Sequence, residues 1–131
     1  MRKVIRPSEA PPPRGPYSPA IVADGFVSVS GQGPINPKTN ELELGEVRQE
    51  TRRTLENLRA ILEAAGTSLR DVVRVGVFLS DVNDFDGMNE VYKEFFPEDQ
   101  PARTTIGAQL PKIKVEIDCI ARTGKQSKRQ P

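Results

Sequence analysis

Residues 46–79 read EVRQETRRTLENLRAILEAAGTSLRDVVRVGVFL, a helical pattern running into a strand pattern. Val47, Thr51, Thr54, Leu58, Ile61, Leu62 and Ala65 recur three or four positions apart, which predicts one stripe of a helix from Glu46 to Ala65. Arg48, Arg52, Glu56, Arg59 and Glu63 fall largely outside that stripe, and Arg59 and Glu63 stand at the spacing where helical side chains meet. Gly66 is the natural stop, because glycine takes left-handed backbone at no steric cost. Val72 to Leu79 is β-branched and apolar and reads as a strand.

Outward from this pair, Phe85, Met88, Val91, Tyr92, Phe95 and Phe96 mark a second amphipathic helix, begun near Asn83 or Asp84 and ended by Pro97. Met88 and Phe95 are expected in the core. Thr104 to Ala108 and Lys114 to Ala121 read as two closing strands. On the N-terminal side, residues 3–6 read as a short strand, and Ser8 to Pro19 holds five prolines, which make a stiff, extended loop. Ala20–Ala23 and Phe26–Ser30 flank Asp24-Gly25, a strong two-residue hairpin signal. Pro34 to Gly45 is rich in turn residues, with Asn36-Pro37-Lys38-Thr39-Asn40 at its tip. The order is β-β-β-α-β-α-β-β, an α+β chain whose two helices can cover only one face of a sheet. Residues 1–123 read as one domain, and 124–131 as a polar tail expected to be disordered.

Composition bounds the chemistry. A length of 131 residues suits one domain with a modest core. Nineteen basic and 18 acidic residues leave a net charge of +1, so no global field favours nucleic acid or anionic lipid. No apolar run is long enough to span a bilayer, and the N-terminus lacks a secretory pattern, so a cytoplasmic protein is expected. There is no histidine, which removes histidine-based triads, His-ligated metals and imidazole proton shuttles together. The one cysteine, Cys119, excludes an intrachain disulfide and a cysteine-rich metal site, and its alternation places it on the apolar face as an inert buried thiol. Neither metal nor cofactor is expected.

Alternation also sorts the sheet. In the last strand Val115, Ile117, Cys119 and Ala121 point one way, and Glu116, Asp118 and Ile120 the other. In the third strand Val27 and Val29 separate from Phe26, Ser28 and Ser30. The helix-free face thus mixes carboxylates and hydroxyls with Phe26, Phe78 and Ile120, a composition suited to a polar subunit interface.

Six segments in register carry a family resemblance: Gly15-Pro16-Tyr17-Ser18, Val29-Ser30-Gly31-Gln32, Met88-Asn89-Glu90-Val91-Tyr92, Pro101-Ala102-Arg103-Thr104-Thr105, Leu110-Pro111-Lys112 and Val115-Glu116-Ile117. From Lys3 to Ala121 the chain resembles the RidA (YjgF) family. The resemblance implies a chorismate-mutase-like fold with one mixed sheet, a homotrimer, and sites in clefts between subunits. It implies cofactor-independent hydrolytic deamination of 2-iminobutanoate and 2-iminopropanoate to 2-keto acids and ammonia. Arg103 matches the arginine that grips the substrate carboxylate, for which a guanidinium offers two parallel donors. Glu116 matches the glutamate that positions the attacking water. Thr105 matches a position whose backbone meets substrate and water; many relatives carry cysteine there, so the threonine argues against a thiol role. Gly31 matches a backbone donor to the carboxylate, Ser30 and Tyr17 match pocket residues, and Asn89 a supporting one.

The chain departs from the family at Pro19, where glutamine is common, and in residues 107–114, which are shorter than usual and bear on substrate preference. Two other functions stay open on the sequence. One is RNA cleavage or translation inhibition, disfavoured by the near-neutral charge, the missing histidine and only seven aromatic residues, two Tyr and five Phe. The other is a noncatalytic trimer that binds small carboxylates.

Overall fold

A computed structural model describes residues 1–123; the tail expected to be disordered, 124–131, lies outside the described residues. Six strands and two helices follow in the expected order: β1 (Arg2–Ile5), β2 (Ala20–Ala23), β3 (Phe26–Gln32), α1 (Val47–Ala64), β4 (Val72–Leu79), α2 (Phe85–Phe95), β5 (Ala102–Gly107) and β6 (Val115–Arg122). The β2–β3 hairpin turns at Asp24 (φ 51°) and Gly25 (φ 82°), both left-handed as this tight turn requires. Gly66, at φ 84°, follows the end of α1.

The strands form one sheet in the order β1-β2-β3-β6-β4-β5. All neighbours are antiparallel except β4 and β5, which run parallel and are joined through α2. A parallel pair needs such a crossover, and the helix inside it is laid across the sheet. β5 starts at Ala102, two residues before the expected Thr104, because Arg74 of β4 pairs with Ala102. That distant partner extends the strand beyond its β-branched run.

Both helices cover the same face. α1 packs on β3 and β6 and lies beside α2. Leu55, Leu58, Ile61 and Leu62 of α1, Met88 and Val91 of α2, and Val27, Val75, Val77 and Ile117 of the sheet form a fully buried core. Arg48 pairs with Glu90 (2.9 Å) and Arg52 with Glu94 (2.8 Å), bridging the helices on their exposed side. Arg59 does not pair with Glu63: its guanidinium lies 5.3 Å from the centroid of the Phe95 ring, which is half-buried rather than core.

Two buried polar residues of α1 tie distant loops to the helix. Glu50 is fully buried and accepts the backbone N–H of Gly45 (3.2 Å) and of Lys114 (2.7 Å), with the Lys114 ammonium at 3.7 Å. Asn57 donates to the carbonyls of Gly33 (3.1 Å) and Ile35 (2.8 Å). Buried donors and acceptors are costly without partners, so these contacts fix where the loops run.

Candidate active site

The sequence candidates fall into two groups. The first lies where the proline strap, residues 7–19, meets β3 and β6. The β3–β6 pairing runs Val29 to Cys119 and then Gln32 to Ile117, so Ser30 and Gly31 together oppose Asp118 alone. This bulge brings the Gly31 backbone under the Glu116 carboxylate, so closely that a Cβ at Gly31 would collide with it. Ser30 donates its hydroxyl to the Ser18 carbonyl (2.6 Å), and Tyr17, Ser18 and Ser30 line a concavity of about 420 Å³. Tyr17 is exposed. Burial first, and the nearby Asp118 second, push the Glu116 carboxyl above its ordinary pKa. A glutamate so shifted is the better base.

The second group lies under α2. Arg103 is half-buried, with its guanidinium carbon 4.6 Å from the Tyr92 ring centroid and 5.7 Å from that of Phe85. Its polar contact is Nη1 to the Met88 sulfur at 4.0 Å, and among the described residues it has no ion-pair partner. Aromatic faces therefore hold the guanidinium plane while leaving its N–H edge available to an anion. Phe85, Met88, Asn89 and Tyr92 lie three or four residues apart on one side of α2, so Asn89 belongs to the stripe that Arg103 faces.

β5 is an edge strand. The bond from Ala108 N–H to the Leu79 carbonyl (2.9 Å) sets the parity of its backbone. Residues 102, 104 and 106 turn their N–H and C=O groups toward β4, and Arg103 and Thr105 turn theirs to the open edge. The Thr105 hydroxyl is buried without a hydrogen-bond partner.

The two groups do not meet within one chain. Arg103, Val75 and Cys119 stand opposite one another across β5, β4 and β6, so they share the helix-covered face. Ile106, Phe78 and Glu116 are likewise opposed and share the helix-free face, where Ile106 is 48% exposed. Arg103 and Glu116 are thus on opposite sides of the sheet, two strand spacings (about 10 Å) apart across it and three residues (about 10 Å) apart along it. No small ligand could touch both.

A concavity of about 490 Å³ lies elsewhere, between Leu69, Phe95, Phe96 and Pro101. It holds none of the candidate residues. No group of three or more His, Cys, Asp or Glu residues is arranged to hold a metal among the described residues. Among them, no helix is long and apolar enough to cross a membrane. Cys119 is buried, and its thiol is pushed up to about 12 by that burial and by Asp118.

The family model described as endoribonuclease L-PSP matches residues 7–123. A RutC family protein of Pyrococcus horikoshii is 52% identical over 92% of this chain and 98% of its own length. The chain belongs to the RidA (YjgF) family. Another relative, the 2-iminobutanoate/2-iminopropanoate deaminase of Dermatophagoides farinae, is 43% identical over 91% of this chain and 94% of its own. The crystal structure of Escherichia coli TdcF with bound serine superposes with a TM-score of 0.87 at 40% identity, covering 92% of this chain and 98% of TdcF. Deaminase activity is thus a property of named RidA relatives. In the sequence Phe85 and Tyr92 read as part of the amphipathic stripe of α2, and Tyr92 also closes one of the segments of family resemblance. Their contact with Arg103 depends on β5 running beneath α2, and no local spacing in the chain reports that crossing.

Proposed function

We propose that this chain hydrolyses reactive 2-imino acids, 2-iminobutanoate and 2-iminopropanoate, to 2-keto acids and ammonia, in clefts shared between the subunits of a homotrimer. The observation that carries this reading is the split site: a guanidinium over aromatic rings, with no ion-pair partner among the described residues, on one face and edge of the sheet, and a strap, bulge and carboxylate on the other. Each is half of a site for a small carboxylate. A neighbouring copy that sets its β3–β6 face against the β5 edge unites them. The helix-free face suits such contact, with Phe26 47% and Ile120 38% exposed beside the Glu116 and Asp118 carboxylates.

In the united cleft Arg103 of one chain holds the substrate carboxylate, assisted by the Gly31 N–H of the other. The open edge at Thr105 offers backbone groups to substrate and water. Glu116 takes a proton as the water oxygen bonds to the imine carbon, and the C=N electron pair moves to nitrogen. That nitrogen receives the proton, giving a carbinolamine. The C–N bond then breaks, ammonia leaves with a proton from the hydroxyl, and the carbonyl forms. One water is consumed and no electrons are exchanged. Imines hydrolyse unaided in water, so a positioned base worth about 10²–10⁴-fold, together with orientation, is adequate equipment.

The test is a coupled assay in which an amino acid oxidase generates the imine and keto acid release is followed. Arg103→Ala is expected to abolish catalysed release while leaving the oligomer folded. Wild-type turnover by that variant would defeat the reading. RNA cut equally by wild type and Arg103→Ala would favour the ribonuclease function instead.

A further inference from the structure

We infer that Arg14 is a positioning residue: it latches the proline strap to the 36–40 turn and so holds Tyr17 at the mouth of the cleft. This rests on the reading of Tyr17 as a wall of that cleft. The strap is pinned at both ends, by buried Ala10 and Pro11 on one side and buried Pro19 on the other, and Pro12 to Tyr17 form an exposed arc between them. Pro11, Pro12, Pro13, Pro16 and Pro19 have no N–H to donate, so few hydrogen bonds can fix the arc. On its C-terminal side Ser30 supplies two, from its N–H to the Pro19 carbonyl (2.9 Å) and from its hydroxyl to the Ser18 carbonyl (2.6 Å).

On the other side of Tyr17 the tie is Arg14. Its Nη2 donates to the Asn40 carbonyl at 2.6 Å, across 26 residues of sequence, and its backbone N–H donates to the Tyr17 hydroxyl at 3.1 Å. The Tyr17 N–H returns to the Gly15 carbonyl at 2.9 Å. The Tyr17 ring lies so close over Gly15 that a Cβ there would stand 3.2 Å from it. Arg14 thus closes a small loop around the tyrosine and fastens it to a second, independent element.

That element is itself rigid. Asn36 Oδ1 accepts the N–H groups of Lys38 (2.8 Å) and Thr39 (3.2 Å), and Asn40 sits at φ 62°, where asparagine is among the few tolerated residues. Among the described residues Arg14 has no ion-pair partner, so this carbonyl is its anchor. Arg14 is exposed, and replacing it leaves the core untouched. Without the latch, the exposed Tyr17 side chain would reorient on the picosecond-to-nanosecond scale of free rotamers, and Pro12 to Tyr17 would move on the nanosecond-to-microsecond scale of loops. Tyr17 would then have to be ordered when substrate binds, a cost that falls on binding more than on chemistry.

The chain has two tyrosines and no tryptophan, so in a Tyr92→Phe background, excited beyond the phenylalanine absorption, Tyr17 is the sole emitting side chain. Its steady-state fluorescence anisotropy is expected to fall on Arg14→Ala. In the otherwise wild-type chain the same substitution is expected to raise KM for the imino acid about 3–10-fold, the loss of one exposed charge-assisted hydrogen bond, with kcat within about twofold. Arg14→Lys, whose ammonium can still reach a carbonyl, is expected to restore part of both. Unchanged anisotropy would overturn the latch whatever KM does. A fall in anisotropy with KM unmoved would overturn the positioning role. The anisotropy needs no substrate, so absence of turnover by the wild-type chain would count against the deaminase reading while the latch is still decided.

Discussion

One methyl group, added at Gly31, separates the chemistry from the fold. Gly31 is not among the positive-φ glycines, Gly25 and Gly66, so alanine suits its backbone. A Cβ there would stand 2.9 Å from Cδ and 3.1 Å from Cγ of Glu116 and would overlap the carboxylate oxygen beyond them. Favourable carbon–carbon contact begins near ~3.5 Å, so the carboxyl group must withdraw by roughly 0.5–1 Å. Glu116 is half-buried on an open face, and it can rotate without disturbing the core. Misplacing a catalytic group by about 1 Å costs on the order of 10²-fold, or ~2.7 kcal/mol of barrier. Meanwhile glycine to alanine restricts the unfolded chain and adds about 0.4–1 kcal/mol of stability. Gly31→Ala is therefore expected to keep or raise its urea midpoint while kcat/KM in the oxidase-coupled assay falls roughly 100-fold. Near-wild-type turnover would refute the placement of Glu116 over Gly31 as the catalytic geometry. A loss of rate matched by a loss of stability would move the effect to the fold.

Tyr92→Leu removes the ring under Arg103 and is expected to raise KM about 5–30-fold, the worth of a partly desolvated cation–π contact, whereas Tyr92→Phe keeps the ring and leaves KM near wild type; equal KM values for the two variants would contradict this. Asp118 helps hold the Glu116 pKa above its ordinary value, and as the proposed base Glu116 would work only when ionised, so the rate is expected to be lost as pH falls through that raised pKa. Asp118→Asn removes the like charge, lowers the pKa, and is expected to move the acid limb of kcat/KM to lower pH; a limb that stays or moves upward would count against it. Glu50→Ala strips the buried acceptor from two partly buried N–H groups and is expected to cost about 2–5 kcal/mol in urea unfolding, with Glu50→Gln costing less; a change within about 0.5 kcal/mol for Glu50→Ala would refute its role as an anchor.

What the sequence displays is what local physics decides. Asp24-Gly25 announces its hairpin because few residue pairs take two left-handed conformations in a row, and Gly66 marks the end of α1 for a related reason. Strand alternation correctly assigned Glu116 to the helix-free face and Cys119 to the core, since the pleat has a period of two. Glu50 and Asn57 escaped notice because hydrophobic periodicity counts apolar residues, and the loops they tie down include partners 64 and more than 20 positions away. The first residues of β5 were missed for the same reason, their hydrogen bonds being to β4 across α2. Tyr17, Ser30, Gly31, Glu116, Arg103, Thr105 and Asn89 were named from family resemblance alone. Their division into two groups became visible only with the strand registers.

Mixing two dead variants reads the shared cleft directly. Arg103→Ala and Glu116→Gln, each expected to be inactive alone, would be unfolded together in equal amounts and refolded. If every cleft takes Arg103 from one chain and Glu116 from its neighbour, random assortment leaves about a quarter of the clefts intact. The mixture is then expected to recover about a quarter of wild-type deaminase activity. A mixture as inactive as its parents, with mixed oligomers verified by native mass spectrometry, would show that the two halves never meet across a subunit boundary.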